Sequence, residues 1–176
     1  MKNGRSNYGV AVIGAGPAGM MAAVTAAENG AGTILLEKNT VPGRKLLLTG
    51  GGRCNFANAE NDLRKLTDNY GKTGAFLFHS FSQFGPKEAI EFFNRLGVKA
   101  KIENNKRVFP KNDNAQAVLD ALINRLDELN VDVARGGKVV EIIKDGDSIK
   151  KIILENGQTV AAKNYIIATG GKSYPQ

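Results

Sequence analysis

The chain has 176 residues, 42% of them hydrophobic and 23% charged, and it includes 21 glycines. This length supports one domain with a substantial core, and the apolar share excludes wholesale disorder. The formal net charge is +7, but the basic residues are scattered in ones and twos. That scatter favours a solvated surface over a nucleic-acid-binding stripe, so we expect no nucleic-acid partner. A single cysteine excludes a disulfide framework, and a single histidine excludes a multi-histidine metal site, so no metal is expected.

The beginning of the chain has some features of a secretory signal peptide, with a charged start at Met1–Arg5 and a mostly apolar run over Val10–Ala27. One proline and three glycines interrupt that run, and their spacing fits a different pattern, described below. No other stretch is long enough to cross a bilayer. We therefore expect no membrane partner.

A strand–helix–strand unit is predicted first. Tyr8–Ile13 is a short β-branched run typical of a buried parallel strand. Gly14–Gly19 forms a turn, and the Ala-rich segment Met20–Asn29 is helical. Thr33–Leu36 is a second buried strand. The order and lengths match one βαβ unit.

A glycine-rich segment, Val41–Asn58, follows the second strand. Because it carries an apolar run and specific polar residues, we predict an ordered binding loop, not a flexible linker. Two short helices are predicted over Ala75–Phe84 and Pro86–Leu96. His79 among them is predicted to be a packed or surface residue, not a catalyst. The phenylalanines of the two helices are predicted to be core residues: Phe76, Phe81, Phe84, Phe92 and Phe93.

The remaining elements are a strand pair, a helix, a β-meander and a last strand. In chain order they are predicted over Val98–Ile102, Arg107–Phe109, a helix capped by Asp113 or Asn114 and running to Leu129, then Val131–Ala134, Val139–Lys144, Ile149–Leu154 and Tyr165–Ala168. The predicted fold class is α/β. It is a Rossmann-like domain with a parallel sheet, a three-strand β-meander crossover and a helical insertion.

The glycines Gly14, Gly16 and Gly19 match the pattern G-x-G-x-x-G, called the glycine motif below. The pattern alone is weak, but here it follows a strand, opens a helix, and precedes Glu37 at the end of the next strand. The first glycine allows a tight turn, the second a close approach to a pyrophosphate, and the third helix–strand packing. Pro17 suits the first helical turn, whose free N–H groups favour phosphates.

Glu37 is predicted to accept hydrogen bonds from both hydroxyls of a nucleotide ribose. A carboxylate at this position would repel a 2′-phosphate, so the pattern disfavours NADP at this site. The glycine motif does not separate FAD from NAD. The basic glycine-rich loop, the meander and the closing Ala168-Thr169-Gly170 follow the layout of FAD domains of two-dinucleotide type, with the last strand beside the first.

Five segments together resemble the bacterial BaiN-like, aminoacetone-oxidase-like FAD-dependent oxidoreductases. They are Gly14–Gly19, Leu36–Lys38, Gly43–Asn55, Arg107–Pro110 and Ala168–Pro175. The resemblance spans the whole chain, and its most specific motifs are GGGRCN and ATGG-x-SYP. Two positions depart from the family pattern, Lys106 where glycine is usual and Ala57 where threonine is common.

The resemblance implies a cytoplasmic FAD flavoprotein oxidoreductase acting on a small-molecule substrate, with NAD(P)H as a possible electron donor. It also implies that residues 1–176 are the N-terminal part of an FAD/NAD(P)-binding domain, without a substrate domain and a C-terminal FAD-contacting segment. The alternative is a module that binds FAD or NAD without turnover. A weaker third hypothesis, RNA modification, is disfavoured by the scattered basic residues.

The predicted cofactor contacts divide by the part of FAD that they touch. The diphosphate is assigned to the glycine motif and the basic loop, the adenosine side to the second strand and the meander, and the ribityl chain or flavin to the GGGRCN loop. The end of the last strand is predicted to pass the cofactor at the edge of the sheet. In the same order, the residues are Gly14, Gly16, Pro17, Ala18, Gly19, Arg44 and Lys45; Glu37, Lys38 and Val139; Gly51, Gly52 and Arg53; and Ala168, Thr169 and Gly170. Val139 rests on the resemblance alone.

Three of these assignments have an alternative. Lys38 could equally be a surface lysine, and Arg53 could form a structural ion pair. Cys54 next to Arg53 could be a redox-active thiol, but no second cysteine exists to pair with it, so we favour a small buried residue. No catalytic base is assigned, because flavin oxidation of an amine or alcohol can proceed with protons from the substrate and the resemblance implies that the substrate domain is absent.

Overall fold

The computed structural model describes residues 7–171, and the chain divides into two compact units. Within the described residues, unit 1 comprises residues 7–46 and 122–171, and unit 2 comprises residues 47–121. Residues 1–6, which include the charged start, and residues 172–176, which include the end of the ATGG-x-SYP motif, lie outside the described residues. Within residues 7–171, no helix is both long enough and apolar enough to cross a bilayer.

Unit 1 is built on a six-stranded sheet with the strand order β6-β2-β1-β9-β8-β7. Its strands are β1 (Asn7–Ile13), β2 (Thr33–Glu37), β6 (Asp132–Arg135), β7 (Val139–Asp145), β8 (Ser148–Leu154) and β9 (Thr159–Ile167). Strands β6, β2, β1 and β9 pair in parallel with one another in that order. The predicted α/β class and the position of the last strand beside the first are therefore confirmed.

The predicted composition of the meander is wrong in one respect. The strand near Val131–Ala134 does not belong to the meander but is β6, which pairs in parallel with β2 through Ile34↔Asp132 and its neighbours. The antiparallel meander consists of β7, β8 and the start of β9. Strand β9 begins at Thr159, not at Tyr165, because its first residues pair with β8 before the rest pairs with β1.

Helix α1 (Pro17–Glu28) packs against β1 and β2 and buries Gly19, Met20, Ala23 and Val24. Apolar residues of the parallel strands and the meander form one core cluster: Tyr8, Ala11, Ile13, Ile34, Leu36, Ile152, Leu154 and Val160. Strand β2 is buried along its whole length, as expected of a central parallel strand.

Unit 2 contains the helices α3 (Leu63–Asp68), α4 (Gly74–Gln83) and α5 (Pro86–Arg95). Its three-stranded antiparallel sheet has the order β3-β5-β4, formed by β3 (Ala57–Asn58), β4 (Ala100–Glu103) and β5 (Arg107–Pro110). This unit is the predicted helical insertion with a small sheet added to it. Helices α2 (Arg44–Leu48) and α6 (Ala115–Glu128) cross the two boundaries between the units.

The prediction that all the phenylalanines of α4 and α5 are core residues is only partly correct. Phe92 and Phe93 are buried, and their rings meet edge to face at 5.2 Å. Phe76 is 85% exposed and Phe84 is 44% exposed. Both belong to or follow α4, whose only fully buried residue is Gly74, so helical spacing of aromatics did not identify the buried face. His79 is exposed, as one of its two predicted alternatives required.

Candidate functional site

The turn after β1 forces a glycine at position 14. Gly14 has φ +104°, and its N–H donates to the Leu36 carbonyl at 2.7 Å. A Cβ at this position would lie 2.5 Å from the Ala168 carbonyl oxygen at the end of β9. The first glycine of the motif is thus required by the packing of β1 against its two neighbouring strands.

Gly19 is required for the same kind of reason. It lies in the first turn of α1, and a Cβ added to it would overlap the Gly14 carbonyl oxygen. It would also lie 3.4 Å from the Cβ of Ala168. The third glycine therefore lets α1 approach the turn after β1 and the end of β9.

Gly16 differs from its two neighbours in the motif. It is the N-cap of α1 with φ −77° and ψ 177°, a backbone conformation that any residue adopts. A Cβ added to it would meet no atom of the described part of the chain within 4 Å. Pro17 follows at the first helical position, and the N–H groups of Ala18 and Gly19 in this first turn have no partner inside the helix. Nothing in residues 7–171 requires glycine at position 16, whereas a ligand phosphate on the helix N-terminus would.

Glu37 is buried at the end of β2, with 7% of its surface exposed. Its Oε2 accepts a hydrogen bond from the Ala15 N–H at 2.9 Å, which ties β2 to the glycine motif. Its Oε1 accepts from both the backbone N–H and the side-chain Nδ2 of Asn39, at 2.9 and 2.7 Å. The predicted acid is therefore placed beside the glycine motif, with Asn39 as a partner that sequence reasoning missed.

Asn39 also connects Arg44, in the basic glycine-rich loop, to Glu37 at the end of β2. Its Oδ1 accepts from Arg44 Nη1 at 3.3 Å, and its carbonyl oxygen accepts from the Gly136 N–H at 3.1 Å. Arg44 and Lys38 are exposed. The loop returns to the glycine motif at Gly43, whose N–H donates to the Ala15 carbonyl at 2.9 Å. A short polar residue two positions after a strand-terminal acid is the only sequence signal that could have identified Asn39.

Lys45 reaches the end of β9. Its Nζ donates to the Gly171 carbonyl at 3.2 Å. Gly170 has φ +76°, and a Cβ on it would lie 3.2 Å from the same Nζ. Thr169 and Gly170 are exposed, while Ala168 is half-buried and its N–H donates to the Ile13 carbonyl. A cation is thus held at the carboxyl ends of β1 and β9, next to the glycine motif.

Val139 opens β7 and packs against the core cluster of unit 1. The turn before it contacts Asn39 through Gly136, so the start of the meander lies near Asn39 and its partner Glu37. Unit 1 therefore gathers most of the predicted residues at the carboxyl ends of its parallel strands. This edge is where open α/β sheets bind ligands. A separate cavity of about 500 Å³ in the same unit, lined partly by Pro42 and Arg135, contains none of the predicted residues.

Gly51, Gly52 and Arg53 belong to unit 2. Gly51 and Gly52 have φ +67° and +85°, which explains why the loop is glycine-rich. Arg53 Nη1 lies 2.9 Å from Glu103 Oε1 and 3.2 Å from Asp113 Oδ1, and its guanidinium lies 4.0 Å from the centre of the Phe109 ring. The structural ion pair considered for Arg53 is present.

Lys101 completes this ion-pair cluster, with its Nζ 2.6 Å from Asp113 Oδ2 and 3.1 Å from Glu103 Oε1. Hydrogen bonds from Lys101, and to a lesser degree from Arg53, hold the pKa values of Glu103 and Asp113 below their usual range. The hydrogen bond to Glu103 raises the pKa of Arg53. All four groups are therefore charged at neutral pH.

Cys54 is buried, with 3% of its surface exposed. Burial raises the pKa of its thiol, against a smaller opposing effect from the hydrogen bond with Thr49. The neutral thiol is favoured at neutral pH, as expected of a small buried residue and not of a reactive thiolate.

The backbone conformation at position 106 explains why glycine is usual in the family where this chain has Lys106. Lys106 has φ +57°, in the left-handed region where glycine is favoured. Its Nζ lies 2.6 Å from Glu60 Oε2, so the lysine gains an ion pair that glycine would lack. The structure offers no explanation for Ala57.

The parallel sheet, the glycine motif at a helix N-terminus and the acid at the end of β2 define a dinucleotide-binding domain of Rossmann type. The chain belongs to the HI0933-like protein Rossmann domain family, which matches residues 8–176.

Three similar proteins extend this assignment. The chain is 31% identical to a ribosomal RNA dihydrouridine synthase of Escherichia coli, over 93% of this chain and 40% of that protein. It is 32% identical to a 3-dehydro-bile acid delta(4,6)-reductase of Clostridium scindens, over 93% of this chain and 39% of that protein. The open form of a flavocytochrome c3 fumarate reductase shares the fold, with a TM-score of 0.73 and 22% identity over 97% of this chain and 35% of that one. The chain thus spans about 40% of the length of these curated relatives.

Proposed function

We propose that this chain is the FAD-binding portion of an FAD-dependent oxidoreductase, and that unit 1 binds the ADP half of the cofactor. The observation that carries the proposal is Gly16. The protein's own packing explains Gly14 and Gly19, whereas a side chain at Gly16 would project into open space at the N-terminus of α1. A diphosphate in that space accounts for the missing side chain and meets the free N–H groups of the first helical turn.

The other residues of unit 1 support the same assignment. Pro17, Ala18 and Gly19 form the helix turn that would face the diphosphate, and Glu37 keeps an open acceptor position for the ribose. Lys45 is held near Ala168–Gly170 at the same edge of the sheet. We assign the adenosine side to Glu37, Lys38 and Val139. The contacts of Gly51, Gly52 and Arg53 with the ribityl chain or the flavin stay predictions from the family resemblance.

The names of two relatives suggest the reaction class. Synthesis of dihydrouridine and reduction at delta(4,6) positions both add hydrogen across a carbon–carbon double bond conjugated to a carbonyl group. We propose the same net reaction here on a small unsaturated carbonyl compound. NAD(P)H and a proton are consumed, the double bond becomes a single bond, and NAD(P)⁺ is released. Bound FAD would accept the hydride from the donor and pass it to the substrate.

The test uses the whole oxidoreductase of which this chain is proposed to be the FAD-binding portion, and it follows the flavin absorbance of the FAD-loaded protein without oxygen. Addition of NADH or NADPH should bleach the flavin band, and a conjugated enone should restore it, while the saturated ketone of the same skeleton should not. Bleaching without recovery on any enone would contradict the proposed substrate class. FAD binding with no bleaching by either donor would favour the alternative, a nucleotide-binding module without turnover.

The Escherichia coli relative brings RNA as a second candidate substrate class, because its name specifies ribosomal RNA. Our expectation of no nucleic-acid partner rests on the scattered basic residues and stays a prediction. A gel-shift titration with a uridine-containing ribosomal RNA fragment tests it. We expect no specific complex. Salt-resistant binding of the fragment would favour RNA over a small molecule as the substrate class. We also propose a cytoplasmic location, to be checked by fractionating cells that express the protein.

A further inference from the structure

The two carboxylate oxygens of Glu37 are not equivalent. Oε1 accepts two hydrogen bonds, from the backbone N–H and the Nδ2 of Asn39. Among residues 7–171, Oε2 accepts one, from the Ala15 N–H. Since each carboxylate oxygen offers about two acceptor positions, Oε1 is filled and Oε2 has one position left.

The Asn39 side chain is fixed in the orientation that fills Oε1. Its Oδ1 accepts from Arg44 Nη1, which leaves Nδ2 directed at the carboxylate. The reversed amide would place Oδ1 against an anion and Nδ2 against a cation, which is unfavourable on both sides. The backbone of Asn39 is held as well, because its carbonyl accepts from the Gly136 N–H.

We infer that Asn39 is a specificity-determining residue that limits Glu37 to one ribose hydroxyl. This inference rests on the proposed function, in which unit 1 binds the ADP half of FAD. An acid that accepts from both hydroxyls of a ribose needs one open acceptor position on each oxygen. Here only Oε2 has one, so Glu37 takes a single hydroxyl and the other is left to solvent water. This differs from the sequence-based expectation that Glu37 accepts from both.

The first test needs no variant. The protein is titrated with ADP, 2′-deoxy-ADP and 3′-deoxy-ADP by isothermal calorimetry. We expect one deoxy nucleotide to bind about tenfold or more weakly than ADP, because it loses a hydrogen bond to a buried carboxylate, and the other to bind within about twofold of ADP. A comparable loss for both deoxy nucleotides, or for neither, would overturn the inference. If ADP itself does not bind, the proposed function fails first.

The second test is Asn39→Ala, which opens a position on Oε1 while keeping the backbone N–H bond to Glu37. Both deoxy nucleotides should then bind about tenfold more weakly than ADP. The matched control is Asn29→Ala, which removes an Nδ2 bond to the Thr25 carbonyl at the far end of α1 and should keep the wild-type pattern. A purely structural role of Asn39 would weaken all three nucleotides equally and leave the pattern unchanged, which would also overturn the inference. Should Asn39→Ala not fold, the wild-type titrations still decide.

Discussion

A substitution at Gly16 should weaken ligand binding without lowering stability, whereas a substitution at Gly19 should lower stability. A Cβ at Gly19 overlaps the Gly14 carbonyl oxygen, so Gly19→Ala must displace α1 or the turn after β1. Overpacking of this kind costs about 2 kcal/mol or more, which lowers Tm by about 4–8 °C for a chain of this size. At Gly16, φ −77° and ψ 177° suit a β-branched residue, and the space is open. Gly16→Val should therefore change stability by no more than about 0.5 kcal/mol.

Ligand binding should separate the same two variants. The valine side chain of Gly16→Val enters the space assigned to the diphosphate, and FAD affinity should fall by about 100-fold or more, equivalent to about 2.7 kcal/mol. Thermal unfolding by circular dichroism measures stability, and quenching of flavin fluorescence measures FAD binding. The reasoning is refuted if Gly16→Val unfolds as early as Gly19→Ala, or if it binds FAD like the wild type.

Four further predictions test single residues. Glu37→Ala should weaken FAD binding by about 1.5–3 kcal/mol through loss of a hydrogen bond to a charged group, and unchanged affinity in the same fluorescence titration would remove Glu37 from the site. The Arg53 cluster should make unfolding by urea easier in acid: because its two carboxylates have lowered pKa values, their contribution is complete at neutral pH and is lost as the pH falls through and below about 4. In Arg53→Ala this acid sensitivity should be smaller, and an identical pH profile would contradict the assignment. Alkylation of Cys54 by iodoacetamide should be slower than that of free cysteine at pH 7 and should rise with pH, since burial raises its pKa; a fast rate at neutral pH would restore the redox-active thiol hypothesis. Lys106→Gly should raise stability in urea by about 0.5–1 kcal/mol, because relief of the left-handed backbone outweighs an ion pair whose lysine is exposed; a loss of stability would show that the pair with Glu60 dominates.

The parts of unit 1 that sequence predicted well are those set by local pattern. Strand β2 is a short apolar run that is buried throughout, and the glycine motif occupies the turn that its spacing requires. The sequence predicts β6 as part of the meander, because the residues of a four-residue strand do not indicate which strand it pairs with. Its pairing with β2 is decided by the sheet as a whole.

Contacts between distant residues account for what sequence reasoning missed at the site. The partners of Arg53 lie 50 and 60 residues further along the chain, so no local sequence pattern predicts the ion-pair cluster. Asn39 lies next to the predicted acid but has no periodic or motif signal, and only its hydrogen bonds to Glu37 and Arg44 show its position in the site. Phe76 is predicted to be a core residue but is exposed, because the helical spacing of aromatic residues does not show which face of the helix packs against another element.

A competition among nucleotides tests the central claim most directly. The protein is incubated with equal concentrations of FAD, NAD and NADP and separated rapidly from free ligand. It is then denatured, and the released nucleotides are quantified by chromatography. We predict that FAD predominates, that ADP in excess displaces it, and that NADP is absent because Glu37 disfavours a 2′-phosphate. Recovery of NAD in place of FAD, or of no nucleotide at saturating concentrations, would contradict the assignment of unit 1 as an FAD-binding domain.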